Sequence, residues 1–297
     1  MILVVGAGFL GSSILKKLNL KQSQNIIATA KTLDDKPGFE SVKFLSCDLT
    51  KEADLNRLVF ELGEEDLTVF YCAACHNIDF VYENPNKARE VNIIALENFL
   101  KTVPNISKLF FTSTDCVYGE NDFEHPKFKE SDFLNPINEY GRQKKEAEET
   151  VNAHGFTCVR LPYMLGPSVL KKEHFYDVIL KKLAKNETIE MIDGLCRSVL
   201  SYESVADILI KLSLISKNEL PKTVNICGDR GYSKYEMAVK LAQNHGFSKK
   251  NIIKISEESG KKFFKDKRAS SAVMDNSLLK SLLGVSEINW SEDKCCL

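Results

Sequence analysis

Met1-Ile-Leu-Val-Val5 runs straight into Gly6-Ala-Gly-Phe-Leu-Gly11, and Ser12-Ser-Ile-Leu-Lys-Lys-Leu18 follows with apolar residues at helical spacing. This opening restricts the fold more than any other stretch. A short, uninterrupted β-branched run suits a strand buried on both faces of a parallel sheet. Parallel strands in turn need long crossover connections, usually helices. Gly6, Gly8 and Gly11 have the G-x-G-x-x-G spacing, with Phe9 and Leu10 between the last two. Such glycines permit a tight turn and let a pyrophosphate approach the N-terminus of the next helix, whose free N–H groups and dipole favour an anion.

The same rhythm continues for half of the 297 residues. Strands are predicted at 25–30, 42–47, 69–72, 109–112 and 157–160, and helices at 52–62, 86–102 and 140–154. Strand–helix alternation of this kind predicts an α/β fold with a doubly wound parallel sheet. After Gly166-Pro167 the pattern changes: 171–183 reads as a charged helix, and 199–215 reads as a return to the main body.

Composition narrows the function. Lys+Arg 40 against Asp+Glu 41 gives a net charge of -1, which supplies no electrostatic case for nucleic acid or membrane partners. No apolar stretch approaches the roughly 20 residues of a membrane span, and Met1 begins the first strand directly, so a cytoplasmic enzyme is expected. Nine scattered cysteines form no disulfide framework. Cys72-Ala-Ala-Cys75 follows a core strand and reads as structural, and the Cys295-Cys296-Leu297 tail has no readable role.

Chemistry enters at Tyr140-Gly-Arg-Gln-Lys144. Reducing a carbonyl needs a weak acid at oxygen while hydride arrives at carbon. Residues i and i+4 share a helix face, so the ammonium of Lys144 is expected to stabilise the phenolate of Tyr140 and tune its pKa. Thr114, in Thr112-Ser-Thr-Asp-Cys-Val-Tyr-Gly119, would offer a hydroxyl to the same oxygen.

In this order, the three segments resemble the extended short-chain dehydrogenase/reductases that act as nucleotide-sugar epimerases, dehydratases and reductases. The resemblance covers most of the chain. It implies a Rossmann-type domain over 1–165, rejoined by 199–226, with 166–198 and 227–297 forming a smaller, discontinuous substrate lobe. The cofactor would be NAD or NADP. Members of the group usually carry G-x-x-G-x-x-G, with glycine where this chain has Val5. Beyond the glycine loop, the resemblance implies cofactor contacts from Asp48 and Leu49, Ala73 and Ala74, Tyr140, Lys144 and Pro162. The second strand ends at Ala30-Lys31 without the carboxylate that would bind a ribose 2′-hydroxyl, so Lys31 favours the 2′-phosphate of NADP. Asp48 has an alternative reading as a helix cap.

Arg197 and Arg268 fall where related enzymes hold the nucleotide diphosphate, a task suited to guanidinium. The implied partner is thus a small-molecule nucleotide sugar, and a homodimer is compatible with the resemblance. Dehydratases follow the threonine with Asp-Glu, whereas this chain has Asp115-Cys116, which disfavours dehydration. Ser-Thr-Asp also resembles dTDP-4-dehydrorhamnose reductases, so 4-keto reduction is the leading expectation and 4-epimerisation its competitor. GDP-fucose synthases use a cysteine and a histidine for proton exchange, and Cys116 and His174 occupy similar positions; packing and helix-start roles are the plainer readings of both. A regulatory protein that binds cofactor without turnover is a further alternative.

Overall fold

The computed structural model describes residues 1–20, 25–34, 38–123 and 126–290; the 295–297 tail lies outside them. Seven parallel strands form the main sheet: β1 (Ile2–Val5), β2 (Ile26–Ala30), β3 (Val42–Ser46), β4 (Leu67–Tyr71), β5 (Ile106–Thr114), β6 (Thr157–Leu161) and, after three strands belonging elsewhere, β10 (Thr223–Asn225). Their order is β10-β6-β5-β4-β1-β2-β3, a Rossmann-type arrangement that reverses direction beside β1 and β4.

Strand geometry explains why the opening is apolar throughout. Ile2 and Val4 point to one face and Leu3 and Val5 to the other, and each face is a separate core. The first core is covered by α1 (Phe9–Asn19) and later by α8 (Tyr202–Leu214). The second is covered by α2 (Glu52–Leu62), α5 (Ala95–Thr102) and α6 (Glu139–Ala153). Between β4 and α5 the chain makes two short helices, α3 (Ile78–Glu83) and α4 (Pro85–Arg89), and a π-helical turn at Glu90–Ile94.

A second body is built on a sheet in which β9 (Cys196–Ser201) pairs with β7 (Tyr163–Leu165), β11 (Gly231–Tyr232) and β13 (Ser271–Ala272). A two-stranded sheet joins β8 (Ile189–Asp193) to β12 (Ile252–Ser256). With α7 (Phe175–Ala184), α9 (Lys234–Asn244) and the short α10 (Glu257–Lys261), these enclose a core containing Tyr176, Ile179, Met237, Leu241 and Trp290.

Three boundaries differ from the sequence reading. The helix expected from Lys171 begins at Phe175, because His174 and Asp177 form a reciprocal capping box. The return to the main body begins with α8 at Tyr202; residues 199–201 finish β9, and Ser201 caps the helix. Last, α11 (Ser277–Leu283), expected in the smaller lobe, buries Leu279 in the main-sheet core.

Candidate active site

Gly6 adopts φ +91°, and a Cβ there would stand 2.6 Å from the backbone nitrogen of Ala73, so only glycine lets β1 turn this tightly against the strand beside it. Gly8 is different. A Cβ on it would meet nothing within 4 Å, so the space before α1 is open. Gly8 also caps α1 without a side chain, and no acidic residue occupies the first turn. This open cradle at the N-terminus of α1 fits a pyrophosphate.

At the end of β2, Ala30 is buried and Lys31 projects into solvent, its Nζ 2.8 Å from Asp48 Oδ2. The Lys31 hydrogen bond and those from Thr50 lower the Asp48 carboxyl to about 2. Asp48 does not cap α2. That helix begins at Glu52, and Asp48 instead accepts bonds from the N–H (3.2 Å) and hydroxyl (2.7 Å) of Thr50. Leu49 is buried, while Ala73 and Ala74 are half-buried beside the Gly6 turn.

The reactive groups gather at the C-terminal end of β5. Asn138 caps α6 by accepting the Gly141 N–H at 2.8 Å, which fixes Tyr140 in the helix's first turn. A Cβ on Gly141 would lie 2.3 Å from the Cys116 carbonyl oxygen, so this glycine is what allows α6 to press against the Thr114–Cys116 turn. Tyr140 is buried among Val81, Ala88, Cys75, Ile78 and Cys116. Burial pushes its phenol well above the usual range, and the nearby Asp115 carboxylate adds to the effect.

Lys144 is fully buried with its Nζ 3.8 Å from the centre of the Phe111 ring and no hydrogen-bond partner among the described residues. Desolvation lowers its pKa to about 7, opposed by the nearby Glu148 carboxylate. A buried amine without a partner, one turn beyond Tyr140, is an incomplete arrangement. The ribose hydroxyls of a dinucleotide lying over Gly8 are the kind of acceptors it lacks. The expected tuning of Tyr140 by Lys144 is not the dominant effect here: desolvation governs both groups.

Thr114 donates to Asp115 Oδ1 at 3.0 Å and accepts the Cys116 N–H at 3.2 Å. Its hydroxyl is therefore already engaged. Asp115 Oδ2 lies 3.4 Å from Arg197 Nε, and burial raises the carboxyl's pKa despite that guanidinium. Arg197 is tied down further by donating to the carbonyls of Cys196 and Ala269, each at 3.0 Å. Arg268 reaches back to α3, its NH2 2.9 Å from Asp79 Oδ1. Both arginines thus have protein partners.

Cys116 and His174 do not form a pair. The Cys116 thiol sits beside Asp115 Oδ1 at 3.5 Å and is pushed up to about 12 by burial, so it stays protonated. His174 accepts the Tyr176 N–H through Nδ1, and its ring lies against Phe9 (4.7 Å between centroids) and Tyr202 (5.3 Å), on the α1 side. Burial lowers its pKa. Pro162 lies between β6 and β7 and is buried.

Several contributors were not singled out from sequence. Glu148 and Arg160 form a buried ion pair (Nη2–Oε2 2.7 Å) beneath Lys144. Glu148 also accepts from Ser113, the neighbour of Thr114, and Arg160 from the other side donates to Tyr118 Oη at 2.7 Å. The i, i+4, i+8 spacing of Tyr140, Lys144 and Glu148 was the available signal. Asn92, inside the π turn, clamps the Cys75 backbone in both directions (2.8 and 3.1 Å) and donates to Gln143 at 3.0 Å. Nothing local in the sequence marks that role.

The model of the RmlD substrate-binding domain family matches residues 1–294. The chain belongs to that family. Its curated relatives include methionine adenosyltransferase 2 subunit beta from Bos taurus, 24% identical over 97% of this chain and 87% of the relative. Another is GDP-6-deoxy-D-talose 4-dehydrogenase from Aggregatibacter actinomycetemcomitans, 28% identical over 80% of this chain and 77% of the relative. Among solved structures, UDP-glucuronic acid 4-epimerase from Bacillus cereus, in complex with UDP-glucuronic acid and NAD, superposes with a TM-score of 0.79 at 19% identity, covering 97% of this chain and 94% of that one. A hypothetical dTDP-4-dehydrorhamnose reductase from Sulfolobus tokodaii gives 0.78 at 20% identity and 98% coverage of both. These structural likenesses extend the family's α/β architecture over nearly the whole chain, including the second body.

Proposed function

We propose that this chain is an NAD(P)-dependent oxidoreductase acting on a nucleotide-activated sugar, and that it reduces a ring ketone at C4. The observation that carries the reading is the unpartnered Lys144 amine, buried one turn from Tyr140 and behind the Thr114 turn. A nicotinamide dinucleotide, when bound, supplies the hydride. Gly8 and the first turn of α1 would receive its pyrophosphate, and Lys144 would hold its ribose. Tyr140 would then give its proton to the sugar oxygen as the carbonyl becomes an alcohol, with Thr114 exchanging its bond to Asp115 for one to that oxygen. Burial keeps the phenol protonated, so Tyr140 enters the reaction in the form that has a proton to give.

NADP is the preferred cofactor in this reading. β2 ends without a carboxylate to hold a ribose 2′-hydroxyl, and Lys31, just beyond it, would exchange Asp48 for a 2′-phosphate. The test is oxidation of NADPH by 4-keto nucleotide sugars, compared with Tyr140→Phe.

A second reading has a specific observation in its favour. Seven curated relatives, matching from 72% to 97% of this chain, share the name methionine adenosyltransferase 2 subunit beta. In that reading the dinucleotide is bound for regulation and the chain serves as a subunit of a larger enzyme. Tight NADPH binding with no oxidation of NADPH by any sugar in the panel would favour it over the first. A 4-epimerase would use the same three residues and retain NAD through purification.

A further inference from the structure

Lys234 opens α9, immediately after its cap Ser233. Its side chain is half-buried, with Nζ 3.1 Å from the centre of the Tyr163 ring and 4.5 Å from that of Phe175. Two aromatic faces attract a cation. The first turn of a helix, however, is the positive end of its dipole and disfavours one. No carboxylate among the described residues pairs with Lys234. The charges that act on it are Arg197, Asp115 and Arg268. Asp115 is engaged with Arg197 and Asp79 with Arg268, so the positive charge of Lys234 is left without a partner. Burial, together with repulsion from Arg197, holds its pKa well below the usual lysine range.

A positive charge on an amine set among aromatic rings, at a helix start and beside two arginines, is costly unless a ligand supplies the missing anion. Asp115, at the end of β5, acts on both Lys234 and Tyr140, and Tyr163 follows β6 directly after Pro162, so the cluster borders the same cleft as Tyr140. We propose that Lys234 is an oxyanion-binding residue of this cleft, taking a phosphate or carboxylate oxygen of the ligand alongside Arg197. The inference rests on the nucleotide-sugar reading for the ligand class and deepens it by naming the residue that receives the ligand's negative charge. Two groups could supply the oxyanion: the diphosphate of the nucleotide, or a carboxylate on the sugar.

Calorimetric titration of the NADPH-loaded full chain with UDP, dTDP, GDP, UDP-glucose and UDP-glucuronic acid tests it, using wild type, Lys234→Met and Lys234→Arg. Lys234→Met keeps the apolar stem between the rings and removes the charge. It should weaken binding by about tenfold or more, the scale of one lost charge-assisted hydrogen bond. Lys234→Arg should stay within about threefold of wild type, and NADPH affinity should be unchanged in both. A loss common to every probe identifies the diphosphate as the source; a loss confined to UDP-glucuronic acid identifies the carboxylate. Thermal melting of the ligand-free protein supplies an independent readout, with Lys234→Met at or above the wild-type midpoint. The proposal is overturned if Lys234→Met binds the probes like wild type, if its ligand-free midpoint falls while affinities persist, as for a prop held between rings, or if wild type binds none of the probes. Binding through Lys234 by a chain that never oxidises NADPH would leave this inference standing and remove the reductase reading.

Discussion

Arg160→Met removes one half of the Glu148–Arg160 pair and leaves the carboxylate in the core. The two side chains are 3% and 5% exposed, and three N–H···O contacts of 2.7, 3.0 and 3.2 Å join them. Breaking a buried pair from one side costs roughly 3–5 kcal/mol, because the remaining charge is uncompensated. Taking roughly 2.1 cal/mol/K of unfolding entropy per residue, a chain of this length carries about 0.6 kcal/mol/K, so the melting midpoint should fall by about 5–8 °C. Arg160→Met/Glu148→Met removes both charges and should regain more than about half of that loss, since replacing a whole buried pair by apolar groups is often close to neutral. Melting followed by circular dichroism, without ligand, compares wild type, Arg160→Met, Glu148→Met and the double variant. The reasoning fails if Arg160→Met melts within about 1 °C of wild type, or if the double variant is as unstable as the sum of the two single ones. Because Ser113 precedes Thr114 and bonds Glu148, this pair also fixes the end of β5 against α6.

Two further predictions concern the cofactor side. Lys144 titrates near 7 in the folded chain and at the ordinary value of 10.5 when unfolded. Between those values the unfolded state binds more protons, so this group makes stability rise as pH increases from about 7 and lowers it below. Lys144→Met should flatten that rise and raise the ligand-free midpoint at pH 7, while abolishing turnover; melting across the pH range checks it, and an unchanged slope would contradict the burial argument. Lys31→Asp should reverse the preference for NADPH over NADH, because the new carboxylate repels a 2′-phosphate and can accept from a ribose hydroxyl. An unchanged ratio of dissociation constants would show that Lys31 does not discriminate.

What was legible in the sequence is what local chemistry decides. The strand, glycine turn and helix of residues 2–19 follow from an apolar run and three glycines, and the helix read over 140–154 is α6. Long-range partners were not legible. The contact of Arg197 with Asp115 appears only in the fold. The surroundings of Cys116 and His174 were hidden in the same way: one packs against Tyr140 and the other against Phe9. Lys171-Lys-Glu are good helix formers, yet His174 sets the boundary because its imidazole satisfies a helix N–H that lysine cannot. The Asn92 clamp depends on a π turn that places its amide between Cys75 and Gln143, and such a turn leaves no periodicity to read.

The central claim is that Tyr140 protonates a sugar oxygen as NADPH is consumed. A single-turnover experiment tests it most directly: NADPH-loaded protein is mixed with a panel of 4-keto-6-deoxy nucleotide sugars and the loss of reduced nicotinamide absorbance is followed. Wild type should oxidise NADPH with at least one sugar, and Tyr140→Phe should do so more slowly by roughly 100-fold or more, the scale of a lost general acid. Wild-type protein that holds NADPH and oxidises it with none of them, or a Tyr140→Phe variant as fast as wild type, would contradict the account.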